Sequence, residues 1–198
     1  MSLKQSNEIT VKVKGNLDNL YKLLEEKSFK ISNEFKMEDT FFIPKYLEID
    51  KMTCREILSK AVLIRDIYIT TKNLRIKKLT FKRKNIDENG NILSQDSVNV
   101  DILNIEDGKK FLEAIGYIEI IKIKEEDREY KKDDLVFSVK DIKNGDKLIE
   151  FETVEDNENL DTIEKIKKAI NEIGLPIYTD NYFVKKAEIE LEKVLKGK

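Results

Sequence analysis

Hydrophobic and polar residues alternate along residues 7–14, which read NEITVKVK. Successive side chains of an extended chain point to opposite faces, so this stretch predicts a strand with one hydrophobic and one polar face. The polar face carries Glu8, Thr10, Lys12 and Lys14. A sheet with one face in water produces the same alternation, so this strand alone does not indicate a function.

The same alternation recurs in later strands, at 78–84, 97–102, 120–124 and 148–152. Further β-rich stretches lie at 39–43, 61–71 and 135–140, and Asn-Gly pairs at 89–90 and 144–145 favour hairpin turns. The charged residues on the polar faces of the later strands include Lys82, Lys84, Asp101, Lys122, Lys124, Glu150 and Glu152. Charges of both signs therefore share one face of the predicted sheet.

Helical spacing of hydrophobic residues predicts four helices, at 17–27, 106–115, 160–173 and 182–196. The other elements read mostly as an antiparallel meander, and an antiparallel sheet can remove its edges by closing. We therefore expect an α+β fold: a closed or nearly closed antiparallel β-barrel (tunnel) of about eight strands, with helices packed outside and the polar faces lining the interior.

The length of 198 residues suits a single domain covering residues 1–198. Within it, we expect residues 1–6 to be disordered or not native, and the helices of 159–198 to pack on the barrel. The net charge is only −2 although 38% of the residues are charged, which argues against bulk electrostatic binding to nucleic acid. One cysteine and no long apolar run predict a cytoplasmic protein that does not bind membranes.

The chain contains no histidine. This excludes histidine-based nucleophile systems, histidine general bases and ordinary zinc sites. Carboxylates and lysines remain, and they suit oxygen-ligated Mg²⁺ or Mn²⁺ together with phosphates.

A barrel interior with these polar faces would form a site for a cation and a polyanion. The candidate metal ligands are Glu8, Asp101, Glu150 and Glu152. The candidate phosphate ligands are Lys12, Lys14, Lys82, Lys84, Lys122 and Lys124. Lysines and a divalent cation can together neutralise the roughly three to four negative charges of a triphosphate.

A series of motifs resembles the CYTH superfamily, or triphosphate tunnel metalloenzymes, over about residues 7–185. EITVK at 8–12 resembles the ExExK signature, AVLIR at 61–65 resembles ALRIR, and LTFK at 79–82 resembles LTYK. LIEFE at 148–152 resembles the closing FxEIE. The superfamily includes class IV adenylyl cyclases, thiamine triphosphatases and inorganic tripolyphosphatases.

The resemblance implies metal-binding roles for Glu8, Glu150 and Glu152, with Mg²⁺ or Mn²⁺ as the cofactor. It implies triphosphate-binding roles for Lys12, Arg65, Lys82, Lys122 and Lys124. Leu74-Arg75-Ile76-Lys77 resembles LRIR about as well as AVLIR does, so Arg75 is an alternative to Arg65.

The chain departs from the family pattern at several positions. Thr10 replaces the second glutamate of ExExK, and Leu63 stands where the first arginine of LRIR is expected. Asn99 and Asp101 replace an ExE pair, and Lys140 or Asp141 lies near a late-strand aspartate. These changes remove carboxylates from a metal-dependent site.

Two charged stretches read as solvent-exposed. The run EEDREYKKDD at 125–134 predicts a solvated turn, and the lysines near the C-terminus predict an exposed helix face.

Three hypotheses about function follow, and the sequence does not identify a catalytic residue for any of them; one is a protein interaction scaffold, for which the sequence offers no specific anchor. The other two are an enzyme that hydrolyses a phosphoanhydride or cyclises ATP, and a non-catalytic sensor of nucleotides or polyphosphate. The expected partner is a triphosphate-containing small molecule, and homodimer formation is left open.

Overall fold

The computed structural model describes residues 4–6, 8–86, 92–152, 160 and 162–197. Within these residues the chain forms nine β-strands, five α-helices and two single-turn 3₁₀ helices, at Ile49–Lys51 and Thr70–Lys72. The strands are β1 (Lys4–Ser6), β2 (Glu8–Lys12), β3 (Lys30–Pro44), β4 (Val62–Ile69), β5 (Leu74–Ile86), β6 (Ile92–Asp101), β7 (Tyr117–Lys132), β8 (Leu135–Ile142) and β9 (Lys147–Glu152). The helices are α1 (Leu17–Glu26), α2 (Cys54–Leu58), α3 (Ile105–Ala114), α4 (Ile163–Ile173) and α5 (Lys186–Lys196).

All nine strands belong to one antiparallel sheet with the order β1-β6-β5-β4-β3-β7-β8-β9-β2. The two longest strands, β3 and β7, pair along most of their length at its centre. The α+β class and the antiparallel meander predicted from the sequence are confirmed. Residues 4–6 form β1, although we expected residues 1–6 to be disordered or not native. The predicted turn at 89–90 lies outside the described residues.

The sheet is strongly curved. Lys82 on β5 and Glu150 on β9 are five strand spacings apart along the ladder, which is roughly 24 Å in a flat sheet. The charge of Lys82 nevertheless lowers the pKa of Glu150. In addition, Leu63 of β4 and Leu148 of β9 belong to one hydrophobic cluster. The side of the sheet that carries these residues is therefore concave, and we call it the inner face.

The sheet does not close into a barrel within the described residues, so of the predicted closed or nearly closed barrel the closed form is wrong. Its edge strands β1 and β2 follow one another in the chain but do not pair. The free edge of β2 is occupied by residues 176–184 instead. Thr10 donates from its backbone N–H to the carbonyl of Tyr182 at 3.1 Å and accepts from the N–H of Val184 at 2.9 Å. This segment takes the hydrogen bonds that barrel closure would have needed.

Helices α1 and α4 cover the outer face of β2, β8 and β9. The hydrophobic residues of the first strand, which the alternation placed on one face, are buried there against both helices. The side-chain carbonyl of Asn16 caps α1 by accepting from the N–H of Asn19 at 2.9 Å. Leu20 and Leu24 of α1 and Ile166 and Ile170 of α4 are all fully buried in this cluster. Helix α3 covers another part of the outer face, where Leu112 packs with Phe42 and Ile64.

Helices α2 and α5 pack on the inner face, which contradicts the expectation that the helices lie outside. Leu191 of α5 and Ile57 of α2 join an inner-face cluster. The strand residues of this cluster are Phe41, Ile43, Leu63, Ile121, Ile123, Ile142 and Leu148. Part of the concave side is therefore a hydrophobic core, and only the remainder is polar.

The run at 125–134 is not a turn, because residues up to Lys132 continue β7. The alternation of Ile121 and Ile123 continues through Glu125 and Asp127, and all four side chains are buried. Two acidic residues that were expected in solvent therefore lie on the inner face.

No helix in the described part of the chain is long and apolar enough to span a bilayer.

The packing of α5 on the inner face predicts that Leu191→Ala destabilises the protein. Leu191 is 1% exposed, so a cavity would form and the free energy of unfolding should fall by about 2–5 kcal/mol. Urea unfolding monitored by circular dichroism measures this change. Val194→Ala on the same helix is the control, because Val194 is 38% exposed. Equal effects of the two substitutions would contradict the placement of α5.

Candidate functional site

Buried and partly buried charged residues converge on the polar part of the inner face, and we call them the inner charge cluster. Its members come from five consecutive strands of the sheet and from the first turn of α5. They are Asp39 on β3, Arg65 on β4, Glu125 and Asp127 on β7, Lys140 on β8, Glu150 on β9 and Lys186 on α5.

Arg65 and Asp39 form a two-point ion pair across neighbouring strands. They stand directly opposite each other in the ladder, and the guanidinium Nε and Nη2 donate to the two carboxylate oxygens at 2.7 and 2.6 Å. Burial alone would raise the pKa of Asp39, but the charge and hydrogen bonds of Arg65 outweigh it and hold this pKa at about 2. The pair is therefore charged at every physiological pH.

Lys140 lies between three carboxylates. Its Nζ is 2.9 Å from Asp127 Oδ2, 3.3 Å from Glu150 Oε1 and 3.8 Å from Glu125 Oε1, and its side chain is 7% exposed. Burial would lower the pKa of Lys140, but the negative charges of Glu150, Glu125 and Asp127 raise it well above its ordinary value. Lys140 is therefore a permanent buried cation.

Lys186 supplies the second ammonium group beside these carboxylates. Its Nζ contacts both carboxylate oxygens of Glu125 at 2.7 Å. Lys186 is the first residue of α5, so the helix that fills one part of the inner face also delivers a cation to the other part.

The pKa values of Asp127 and Glu150 are shifted in opposite directions. Burial raises the pKa of Asp127 to about 6 in spite of the opposing charge of Lys140. Among the described residues no donor reaches Asp127 Oδ1, although this atom is buried. Burial also acts to raise the pKa of Glu150, but Lys140, Lys186 and Lys82 outweigh it and lower this pKa to about 2. Asp127 is thus the member of the cluster that can exchange a proton near neutral pH.

Three of the residues predicted from sequence lie in or beside the cluster. Arg65 and Glu150 belong to it, and Lys82, partly buried on β5, acts electrostatically on Asp39 and Glu150. Thr10 is buried on the inner face directly opposite Glu150 in the ladder.

The first-strand charges have partners outside the cluster. Glu8 is partly buried, and one of its carboxylate oxygens is 3.4 Å from the Thr10 hydroxyl. The ammonium of Lys12 pairs with Asp146 at 2.6 Å, with 45% of the Lys12 side chain exposed.

Lys122 and Lys124 lie on the outer face, so their predicted place in the interior is wrong. Both pair with Glu38, at 3.3 and 2.8 Å. The physical reason is that Ile121 and Ile123 point inward, where α2 and α5 cover them.

Other predicted positions are also separated from the cluster. Asp101 is exposed at the end of β6, opposite Lys78. Arg75 is on the outer face and pairs with Asp66, so of the two arginines Arg65 is the inner one. The side chains of Lys84 and Glu152 lie outside the described part of the structure.

The described carboxylates do not form a metal site. Among the described residues, no three Asp, Glu or Cys side chains converge so that they could hold a metal ion. The carboxylates that do approach one another, those of Glu125, Asp127 and Glu150, meet at the ammonium of Lys140. This donor set does not fit the Mg²⁺ or Mn²⁺ that the resemblance implies.

Sequence reasoning missed the acidic residues of β7 and the lysine of α5. The period-two pattern from Ile121 to Asp127 was a usable signal for Glu125 and Asp127, because it continues one face of the strand without interruption. No comparable local signal marks Lys186, whose burial depends on where α5 packs.

Comparisons with known proteins support the fold. No protein-family model and no curated protein matches the sequence. PH1819 from Pyrococcus horikoshii OT3 has a similar structure, with a TM-score of 0.70 at 20% identity, over 94% of this chain and 99% of that one.

Two further solved structures carry functional descriptions. A putative adenylate cyclase from Vibrio parahaemolyticus has a TM-score of 0.62 at 14% identity, over 98% of this chain and 99% of that one. HpAC1 from Hippeastrum, described as a putative adenylyl cyclase with a dominant triphosphatase activity, has a TM-score of 0.58 at 14% identity, over 98% and 97%. At these identities the likeness shows the fold alone.

The buried ion pair predicts that Arg65→Met is strongly destabilising. The substitution leaves the carboxylate of Asp39, whose side chain is 3% exposed, without its cation, so the free energy of unfolding should fall by about 3–5 kcal/mol. Chemical denaturation measures the effect. Arg75→Met is the control, since it removes an exposed arginine from an ion pair on the outer face and should change stability little. Similar losses of stability in both variants would contradict a larger contribution of the buried Arg65–Asp39 pair.

The low pKa of Asp39 predicts that the free energy of unfolding falls at acidic pH. Because the folded-state pKa of about 2 lies below the ordinary 3.8, the stability from this ionisation is present above about pH 4 and is lost as pH falls towards 2. At 1.36 kcal/mol per pKa unit, the wild type should lose about 2 kcal/mol more than Asp39→Asn over this range. Denaturant unfolding of both proteins at several pH values measures the difference. If the difference in unfolding free energy between wild type and Asp39→Asn does not change between about pH 4 and pH 2, the low pKa of Asp39 is contradicted.

Proposed function

We propose that the inner face binds the triphosphate group of a small molecule, such as a nucleoside triphosphate, thiamine triphosphate or tripolyphosphate. The observation that carries this proposal is the convergence of cationic side chains on one concave surface. Arg65, Lys82 and Lys186 come from two strands and a helix, and the latter two act on the same carboxylates, Asp39 and Glu150.

Binding would exchange protein carboxylates for phosphate oxygens as partners of these cations. Phosphate oxygens accept charge-assisted hydrogen bonds from arginine and lysine as carboxylates do. Lys186 now contacts Glu125, and Arg65 contacts Asp39. A polyphosphate offers several oxygens in a row, so it can contact cations that a monophosphate cannot reach together.

The reaction we propose is hydrolysis of a phosphoanhydride bond. HpAC1, whose fold is similar, is described as having a dominant triphosphatase activity. Hydrolysis needs a water in line with the leaving phosphate and a group that accepts its proton. Asp127 suits this second role, because its Oδ1 has no hydrogen-bond partner among the described residues and its pKa is about 6.

The second candidate function is a sensor that binds a triphosphate without turnover. The favouring observation is that Lys140 and Lys186 already pair with the carboxylates of β7 and β9. Carboxylates that are already paired with lysines are not available to activate a water or to bind a metal ion. Such a site can bind an anion without catalysing a reaction. Adenylyl cyclisation would instead need the ribose 3′-oxygen in line with the α-phosphate.

Tripolyphosphate should raise the melting temperature of the wild-type protein, and orthophosphate should not. A ligand that binds only the folded protein stabilises it by mass action. Lys82→Met should reduce the shift, because it removes a cation of the inner face. Lys122→Met is the matched control, since it removes one lysine from the outer face. No shift with tripolyphosphate, ATP or thiamine triphosphate would contradict both proposed functions.

A turnover assay separates the enzyme from the sensor. We expect release of phosphate from one of these triphosphates, and we expect Asp127→Asn to abolish release while the ligand-induced thermal shift remains. Asp134→Asn provides a charge-matched control, since Asp134 is exposed beyond the end of β7. A thermal shift in the wild type without any product would support the sensor and contradict hydrolysis.

A further inference from the structure

We propose that the ammonium group of Lys140 takes the place of a divalent cation on the inner face, so that the carboxylates around it bind no Mg²⁺ or Mn²⁺ in the native protein. The resemblance to a metalloenzyme superfamily implies a metal here. The geometry of the described residues points to a built-in cation instead.

The strand register places Lys140 among its anionic neighbours. β8 pairs with β7 on one side and β9 on the other. Asp127 stands directly opposite Lys140, and Glu150 is its diagonal neighbour, with Nζ–O distances of 2.9 and 3.3 Å. Direct and diagonal cross-strand neighbours are the positions within reach of a long side chain. The contacts therefore follow from the sheet itself.

Four of the six carboxylate oxygens around Lys140 already contact an ammonium group. Both oxygens of Glu125 contact Lys186, and Oδ2 of Asp127 and Oε1 of Glu150 contact Lys140. Mg²⁺ requires oxygen ligands at about 2.0–2.1 Å in near-octahedral geometry. An ion that bridged Asp127 and Glu150 would occupy the volume of the ammonium group.

Such an ion cannot easily displace the ammonium group of Lys140. Its side chain is 7% exposed and starts from a strand with neighbours on both sides, so little of it is in contact with solvent. Removing it would leave buried carboxylates facing one another, and unpaired buried charge is strongly unfavourable.

Of the other positions expected at the metal, Glu8 lies beside the hydroxyl of Thr10, and the side chain of Glu152 lies outside the described part of the structure. Thr10 offers a hydroxyl without charge, and Asp101 is exposed at the end of β6. The inference concerns the same surface as the proposed function, but it holds whether or not a triphosphate is turned over.

The test is a titration of Mn²⁺ alone, without phosphate, into wild type, Lys140→Met and Lys122→Met by calorimetry. We expect Lys140→Met to gain a Mn²⁺ site that binds at least about tenfold more tightly than anything in wild type, because the substitution frees the carboxylates of Asp127 and Glu150. Lys122→Met loses the same charge on the outer face and should behave like wild type. Adding Glu150→Gln to Lys140→Met should weaken the new site.

Equal Mn²⁺ binding by wild type and Lys140→Met would overturn the proposal. So would Mn²⁺ binding to wild type that Glu150→Gln abolishes. If Lys140→Met does not fold, nitrogen–proton NMR of the wild-type lysine ammonium groups decides. The buried Lys140 signal should be unchanged by millimolar Mg²⁺, and its shift or loss would overturn the proposal.

Discussion

The requirement that buried charges be paired controls the inner side of this protein. Glu125, Asp127 and Glu150 come from two strands that do not touch, and the ammonium of Lys140 on the strand between them holds them together. Lys186 extends the same network to α5. Because a buried charge without a partner is so unfavourable, the contact between Lys186 and Glu125 favours the packing of the first turn of α5 against the polar part of the inner face.

The sequence correctly predicted which residues face inward on strands whose hydrophobic face packs outward. On β2 and β9 the alternation placed Thr10 and Glu150 on the inner face, and the ladder pairs them. On β7 the same reasoning failed, since Ile121 and Ile123 face inward. Alternation shows that a strand has two faces, but it does not show which face the rest of the fold will cover.

The positions of α5 and of residues 176–184 were not predictable from local patterns. Leu191 gives α5 a hydrophobic side, but only tertiary packing decides that this side fills the concave surface and buries Lys186. Likewise, the hydrogen bonds from residues 176–184 to β2 link distant parts of the chain, and they replace the barrel closure that the strand count suggested. The site therefore depends on contacts that no single segment encodes.

The inner face combines cations suited to phosphate with carboxylates that already have cationic partners, which favours an anion site over a metal site. A crystal structure of the wild-type protein grown with tripolyphosphate tests this account most directly. The account predicts phosphate oxygens within hydrogen-bonding distance of Arg65, Lys82 or Lys186 on the concave side of the sheet. Phosphate bound instead beside Lys122 and Lys124 on the outer face, with the inner ion pairs unchanged, would contradict it.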